Sequence, residues 1–326
     1  MIAPQFNDAK YLSEGKAAFA IKKDDGQTLY GFIDAGGNVV IAPKFFSAES
    51  FSNGYAVVAS PTNEGVNYGY IDETGKIVIA PKFFRAEAFA EDAALVEVHF
   101  PPPAAQNYLF GFIDKTGKYI VEPRYINAQS YSENLAAVLI EDRWGYINKK
   151  GEQIIPANFK YANPFSQGLA AVCVMDENGQ DRWGFIDRNG RFAIAPRFER
   201  AEFFSEDLVI VESGGKYGFI DKSGQFVIAP DYFTLDNSFH EGLAGVRLPP
   251  ASPQSYGYID KTGKVVIAPE YKQAGNFING LAKVEIYEGM RGGISDLAPA
   301  YRTALIDHYG RRVWTSEEYK VPSHPN

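Results

Sequence analysis

Eight times along this 326-residue chain a glycine follows an Asp or Asn by three residues: Asp34/Gly37, Asp72/Gly75, Asp114/Gly117, Asn148/Gly151, Asp187/Gly190, Asp221/Gly224, Asp260/Gly263 and Asp307/Gly310. Asp or Asn opening a turn, with glycine at its fourth position, is type I turn chemistry. The side chain accepts a backbone N–H ahead of it, and the glycine takes the left-handed conformation that a bulged hairpin needs. An aromatic-glycine pair precedes seven of these turns, from Tyr30-Gly31 through Tyr68-Gly69, Phe110-Gly111, Trp144-Gly145, Trp183-Gly184 and Tyr217-Gly218 to Tyr256-Gly257, and Thr303-Ala304 stands in that place in the eighth. Successive steps of 34 to 47 residues mark a repeat array.

After each of the first seven turns comes an apolar strand that stops at proline: Pro43, Pro81, Pro123, Pro156, Pro196, Pro230 and Pro269. Proline has no N–H to donate, so the ladder is expected to close there. A third element reads FSNGYAVVA, YSENLAAVLI, FSQGLAAVCV or FSEDLVIVE: an aromatic anchor, a turn and another strand. These copies resemble the WG-repeat (KWG) family known from bacteria, from Ile2 to about Trp314, although only Trp144 and Trp183 keep the tryptophan of its pattern. The resemblance implies an interaction module and implies no reaction.

The predicted fold is all-β: a tandem array of about eight three-stranded antiparallel β-meander repeats, closed as a propeller-like ring or running on as an open β-superhelix. The propeller-like form is the nearer fit, although ordinary blades have four strands and the pattern yields three. The chain reads as one domain, 1–326, with a partial repeat at 1–15 and a degenerate one at 303–326. Segments such as KFFSAESF are expected to be irregular. In YGFID and VVIAP both strand faces are apolar, so both faces of each sheet are expected to be buried by stacking neighbours. The glycine beside each aromatic is expected to let a neighbouring ring cover bare backbone. The fourth copy has one residue fewer between Gly151 and Pro156 than the others, which predicts an irregular or bulged strand there.

Little in the chain points to catalysis. The four histidines, His99, His240, His308 and His324, fall in different repeats without metal-ligand spacing. The turn aspartates lack the alternating oxygen ligands of a calcium loop. ESGGKYG at 212–218 resembles a phosphate loop only superficially, because its Lys leads straight into a strand. Cys173, the single cysteine, sits in an apolar strand and reads as buried. No metal, cofactor or catalytic residue is predicted, and a non-enzyme is expected. A net charge of −8 disfavours nucleic acid and anionic membrane surfaces. No run of apolar residues is long enough for membrane insertion. No signal peptide is visible, and because a processed chain would look the same, the compartment stays open.

Variation is more informative than recurrence. Between the GLAxV strand and the next aromatic-glycine pair, the copies with EDR and SGGK are minimal, whereas 99–109, 249–255 and 287–302 are long. Insertions at one topological position of a repeat fold gather on one face, and that face often binds. The expected function is recognition of another protein through these loops, with Pro102, Tyr108, Tyr256, Tyr287, Arg291 and Tyr301 as candidate contacts. The alternative is binding of a glycan or cell wall by exposed aromatics.

Overall fold

The structure, a computed structural model, describes residues 8–62, 65–100, 108–232, 237–248, 255–291 and 298–315. Every regular element among them is a β-strand, and the strands form seven antiparallel sheets. Two compact units are distinguished, 1–165 and 166–326.

Each sheet is a meander whose strands are those expected from the repeat. In the first, Lys16–Lys22 pairs with Thr28–Asp34, which pairs with Val39–Phe45. The same arrangement recurs in the first unit around Thr28–Asp34, Gly65–Asp72, Tyr108–Asp114 and Arg143–Ile147. In the second unit it recurs around Asp181–Ile186, Lys216–Ile220, Tyr256–Asp260 and Ala298–Asp307. That makes eight meanders. The last two share one six-stranded sheet, because Val265–Ile278 runs unbroken from one to the other.

The segments expected to be irregular hold a further strand. Ser47–Ala48, two residues long, pairs with Tyr55–Thr62 of the following meander, and Arg85–Ala86 and Arg200–Ala201 pair in the same way. Five of the seven sheets thereby have the four strands of a propeller blade, and the one around Arg143–Ile147 has three. A tight turn follows each short strand. In Ser13-Glu14-Gly15-Lys16 the central φ angles are 50° and 77°, the two-residue hairpin turn that suits the twist of the strands.

The Asp-x-x-Gly turns form as expected. Gly75 N–H donates to Asp72 O at 2.9 Å, and Asp72 Oδ1 accepts Thr74 N–H at 2.9 Å and Lys76 N–H at 3.1 Å. The glycines have φ near +80°. They have a second reason to be glycine: a Cβ on Gly75 would stand 2.9 Å from Ile41 of the preceding sheet.

Proline does not close the ladder. Val39–Phe45 continues past Pro43, and between the pairs Phe32↔Ile41 and Tyr30↔Phe45 it carries two extra residues as a bulge. The bulge, not a neighbouring ring, is what covers the paired glycine. A Cβ on Gly31 would meet Ile41 O at 2.4 Å and Pro43 N at 2.8 Å, and the other six pairs repeat this geometry. The fourth copy needs no special distortion. Pro156 stands one place earlier, Ala157 takes the usual proline position, and the register Trp144↔Phe159, Tyr146↔Ile155 matches the other copies. In the eighth copy, where Ala304 replaces glycine, the ladder runs directly from Leu305↔Trp314 to Ala304↔Thr315 without that bulge.

Cores lie between consecutive meanders. Phe32, Ile41 and Phe45 of the first pack on Ala56, Val58 and Ile71 of the second. Phe185, Ile194 and Phe198 pack on Val209, Val211 and Ile220 in the second unit. Each residue after the paired glycine meets the next aromatic anchor, as in Phe32–Phe51 at 4.8 Å and Phe219–Phe239 at 4.8 Å between ring centroids. Where that residue is tyrosine its buried hydroxyl finds a partner: Tyr146 Oη donates to Asn163 O at 2.7 Å. Burial of both faces holds for the first and middle strands, as the consecutive buried residues Ala56, Val57, Val58 and Ala59 show for a first strand. The third strand is an edge except in the six-stranded sheet, and its first two residues, Val39, Val40, Ile77, Val78, Phe226 and Val227, are exposed, whereas Ile41 and Phe45 turn into the core.

Candidate functional site

Among the expected contact residues, Tyr108 opens the strand Tyr108–Asp114 and is exposed. It pairs across the hairpin with His99, and the two rings stack at 4.8 Å and 27°. Phe84 lies 4.7 Å from the Tyr108 ring and is itself 47% exposed. Its backbone N–H donates to Glu97 O, which fixes the ring beside the hairpin. The result is a three-ring cluster at the root of the 101–107 insertion. Pro102 lies outside the described residues.

In the second unit, 287–302 was expected to be a loop, but both its ends are strand. Leu281–Arg291 pairs with Ala298–Asp307, which sets Tyr287 opposite Tyr301 and Arg291 opposite Ala298. The tyrosine rings are 5.7 Å apart, and Lys272 Nζ stands 3.9 Å over the Tyr301 ring while pairing with Glu285 at 3.2 Å. Tyr256 is half-buried against the core between the last two meanders. Tyr287 and Tyr301 thus come together, whereas Tyr256 packs on core and Tyr108 belongs to the other unit.

The short strands line a second feature that the sequence reading passed over. Arg200, Glu202, Phe203, Glu212, Tyr217 and Asn276 surround a cavity of about 430 Å³ within the second unit. Arg200 lies directly across the ladder from Glu212, with Nε 3.4 Å from the carboxylate. Burial, together with the neighbouring Glu212 carboxylate, pushes the Tyr217 hydroxyl up from its ordinary value. Partial desolvation also raises the carboxyl of Glu202, an exposed residue, with the charge of Arg200 opposing. In the first unit Arg85 faces Glu97 across the same ladder position, and Arg85 and Glu87 line a cavity of about 570 Å³ with Glu49 and Tyr68. The signal was present in the sequence: Arg-Ala-Glu stands at both 85–87 and 200–202. It was missed because those segments read as irregular.

The remaining sequence candidates take structural places. Gly214 and Gly215 of ESGGKYG form a tight hairpin turn with φ of 64° and 72°. Cys173 is buried opposite Trp183. His240 Nδ1 lies 3.2 Å from Ser238 O. Among the described residues no group of three or more His, Cys, Asp or Glu is placed to hold a metal ion, and no helix is long and apolar enough to cross a membrane.

The WG containing repeat matches at residues 30–59, 68–99, 110–144, 144–177, 183–217, 217–248 and 256–288. The chain belongs to the WG containing repeat family. No curated protein matches it. A crystal structure of the eukaryotic initiation factor is similar over 93% of this chain and 85% of its own, at 15% identity and a TM-score of 0.60, which shows a shared fold. The beta-propeller domain of the Trilobed protease from Pyrococcus furiosus matches 68% of this chain and 84% of its own, at 12% identity and a TM-score of 0.40. The WG repeats of this chain thus build an all-β, propeller-like scaffold. The first family repeat begins in one sheet and ends in the next: residues 30–59 take in the middle and edge strands of the first sheet, then the short and first strands of the second, whereas 256–288 lies within the six-stranded sheet.

Proposed function

We propose that this WG-repeat chain is a non-enzymatic scaffold that recognises another protein. The observation that carries the reading is the exposed Phe84–His99–Tyr108 cluster at the root of the 101–107 insertion. Aromatic residues are enriched where protein partners dock, and truncating one such ring in a contact typically costs about 1 kcal/mol or more. The cluster rests on a paired hairpin and is held by backbone, so little ordering is needed on binding.

The test is a pull-down from the source cell with the wild-type chain and a Phe84→Ala/Tyr108→Ala double variant, read by mass spectrometry. Partners retained by the wild type are expected to be lost from the variant, with thermal stability little changed because both rings are exposed. Equal capture by the two proteins would overturn the assignment. A glycan array run in parallel tests the other reading, which the same exposed rings favour by offering a stacking face for sugars.

A further inference from the structure

The cavity bordered by the short strand Arg200–Ala201 carries two carboxylates and a buried amide oxygen among its lining groups. Glu202 is exposed where it lines the cavity, and the charge of Arg200 acts on its carboxylate. Asn276 Oδ1 is buried and has no hydrogen-bond partner. Arg200, which would be the natural counter-charge, is turned to Glu212 at 3.4 Å. With Glu202 and Glu212 negative and Arg200 positive, the three side chains sum to −1. The walls beside these acceptors are apolar or aromatic: Phe203, Ile210 and the ring of Tyr217.

We infer that this cavity receives a cationic side chain, an arginine or a lysine presented by a protein partner. Such a group would supply N–H donors to the Glu202 carboxylate and to the orphaned amide oxygen, while its alkyl stem packs on Phe203 and Ile210. A guanidinium fits best, since its planar fork can reach two acceptors at once. The volume of about 430 Å³ admits one such side chain and falls in the range of ordinary ligand pockets, about 300–1,000 Å³. Partial desolvation raises the Glu202 carboxyl, with the charge of Arg200 opposing, although the residue is exposed where it lines the cavity. The net charge of −8 favours the approach of a basic partner. The inference deepens the protein-recognition reading by naming partner chemistry, but it stands on residues of the second unit that the aromatic cluster does not touch.

The test uses the full chain and a fluorescein-labelled decapeptide of Gly and Ser with one central arginine, compared with the same peptide carrying citrulline, its neutral isostere. Fluorescence polarisation should show the arginine peptide binding at least tenfold more tightly than the citrulline peptide. Glu202→Gln should remove that preference. Asn276→Asp should strengthen it, a gain that simple loss of folding cannot imitate, and raised salt should weaken it. Equal binding of the two peptides, absence of binding by both at millimolar protein, or a preference unchanged in Glu202→Gln would each overturn the assignment. Those outcomes are independent of the Phe84/Tyr108 pull-down, so either idea can fail alone.

Discussion

Glycine has two jobs in this chain, and they predict different costs. Gly69 has no positive φ, but a Cβ there would stand 2.5 Å from Ile79 O and 2.7 Å from Pro81 N, both backbone atoms that cannot swing aside. Gly54 has φ of +82° and open space around it. Gly69→Ala is therefore expected to cost about 1–3 kcal/mol or more through overpacking, and Gly54→Ala about 1 kcal/mol through conformation alone. Urea melts of the two variants should rank them in that order. The turn aspartates make a second residue-scale prediction. The Thr74 hydroxyl and the turn N–H groups hold the Asp72 carboxyl below its usual range, and Thr116 and its turn do the same for Asp114. A carboxyl with a lowered folded pKa stabilises fully above its unfolded value of about 3.9, and that contribution is lost as pH falls through the folded value. Asp72→Asn should therefore lose less stability than wild type between pH 5 and pH 2, as read by thermal melts. Asn148 shows that an amide supports the same turn, since its Oδ1 accepts Lys150 N–H at 2.9 Å and Glu152 N–H at 3.0 Å.

Strands were legible in the sequence to the extent that their chemistry is local. Asp-x-x-Gly, the aromatic anchors and the Ser-x-Gly turns all fell where expected, because each is decided within a few residues. The short strands did not stand out, because Ser47–Ala48 or Arg85–Ala86 becomes a strand only by pairing with a meander further along the chain. The edge character of Val39–Phe45 was hidden in the same way: VVIAP reads as buried on both faces, yet Val39 and Val40 are exposed. Proline and the bulge reconcile these facts, since both devices blunt an edge against stray pairing. The candidate site followed this pattern. Tyr108 was visible as an exposed aromatic beside an insertion, whereas Glu202 and Asn276 meet at one cavity only through folding. Tryptophan tests the same lesson. Trp144 is buried, but Trp183 is only partly so. Trp144→Ala is expected to cost about 3–5 kcal/mol and Trp183→Ala less, which denaturant melts would order. Serine links the elements as well. Ser166 Oγ donates to Phe204 O and Ser205 Oγ to Phe239 O, each at 2.6 Å, yet Ala90 fills the same place in the second copy. Ser166→Ala should leave the chain folded and cost about 0.5–1.5 kcal/mol in the same assay.

At the scale of the molecule, the far-ultraviolet circular dichroism of the chain should be that of β-structure with no more than a trace of helix, because every regular element among the described residues is a strand. A distinct helical component in that spectrum would contradict the fold. Most core clusters are formed between meanders, although Ala17, Phe19 and Ile33 cluster within the first, so the repeats depend on their neighbours for burial. The half-sheet offset of the family repeat bears on how such a chain can grow. A crossover between two gene copies, at matching points of any two repeats, yields a protein with one repeat more or fewer. Most strands in that product still meet a neighbour of the same kind, since most copies hand a short strand to the sheet that follows. Repeat number can therefore drift by recombination with few contacts redesigned, and the eighth copy departs furthest from the rest, since there Ala304 has replaced the glycine and the bulge has gone with it.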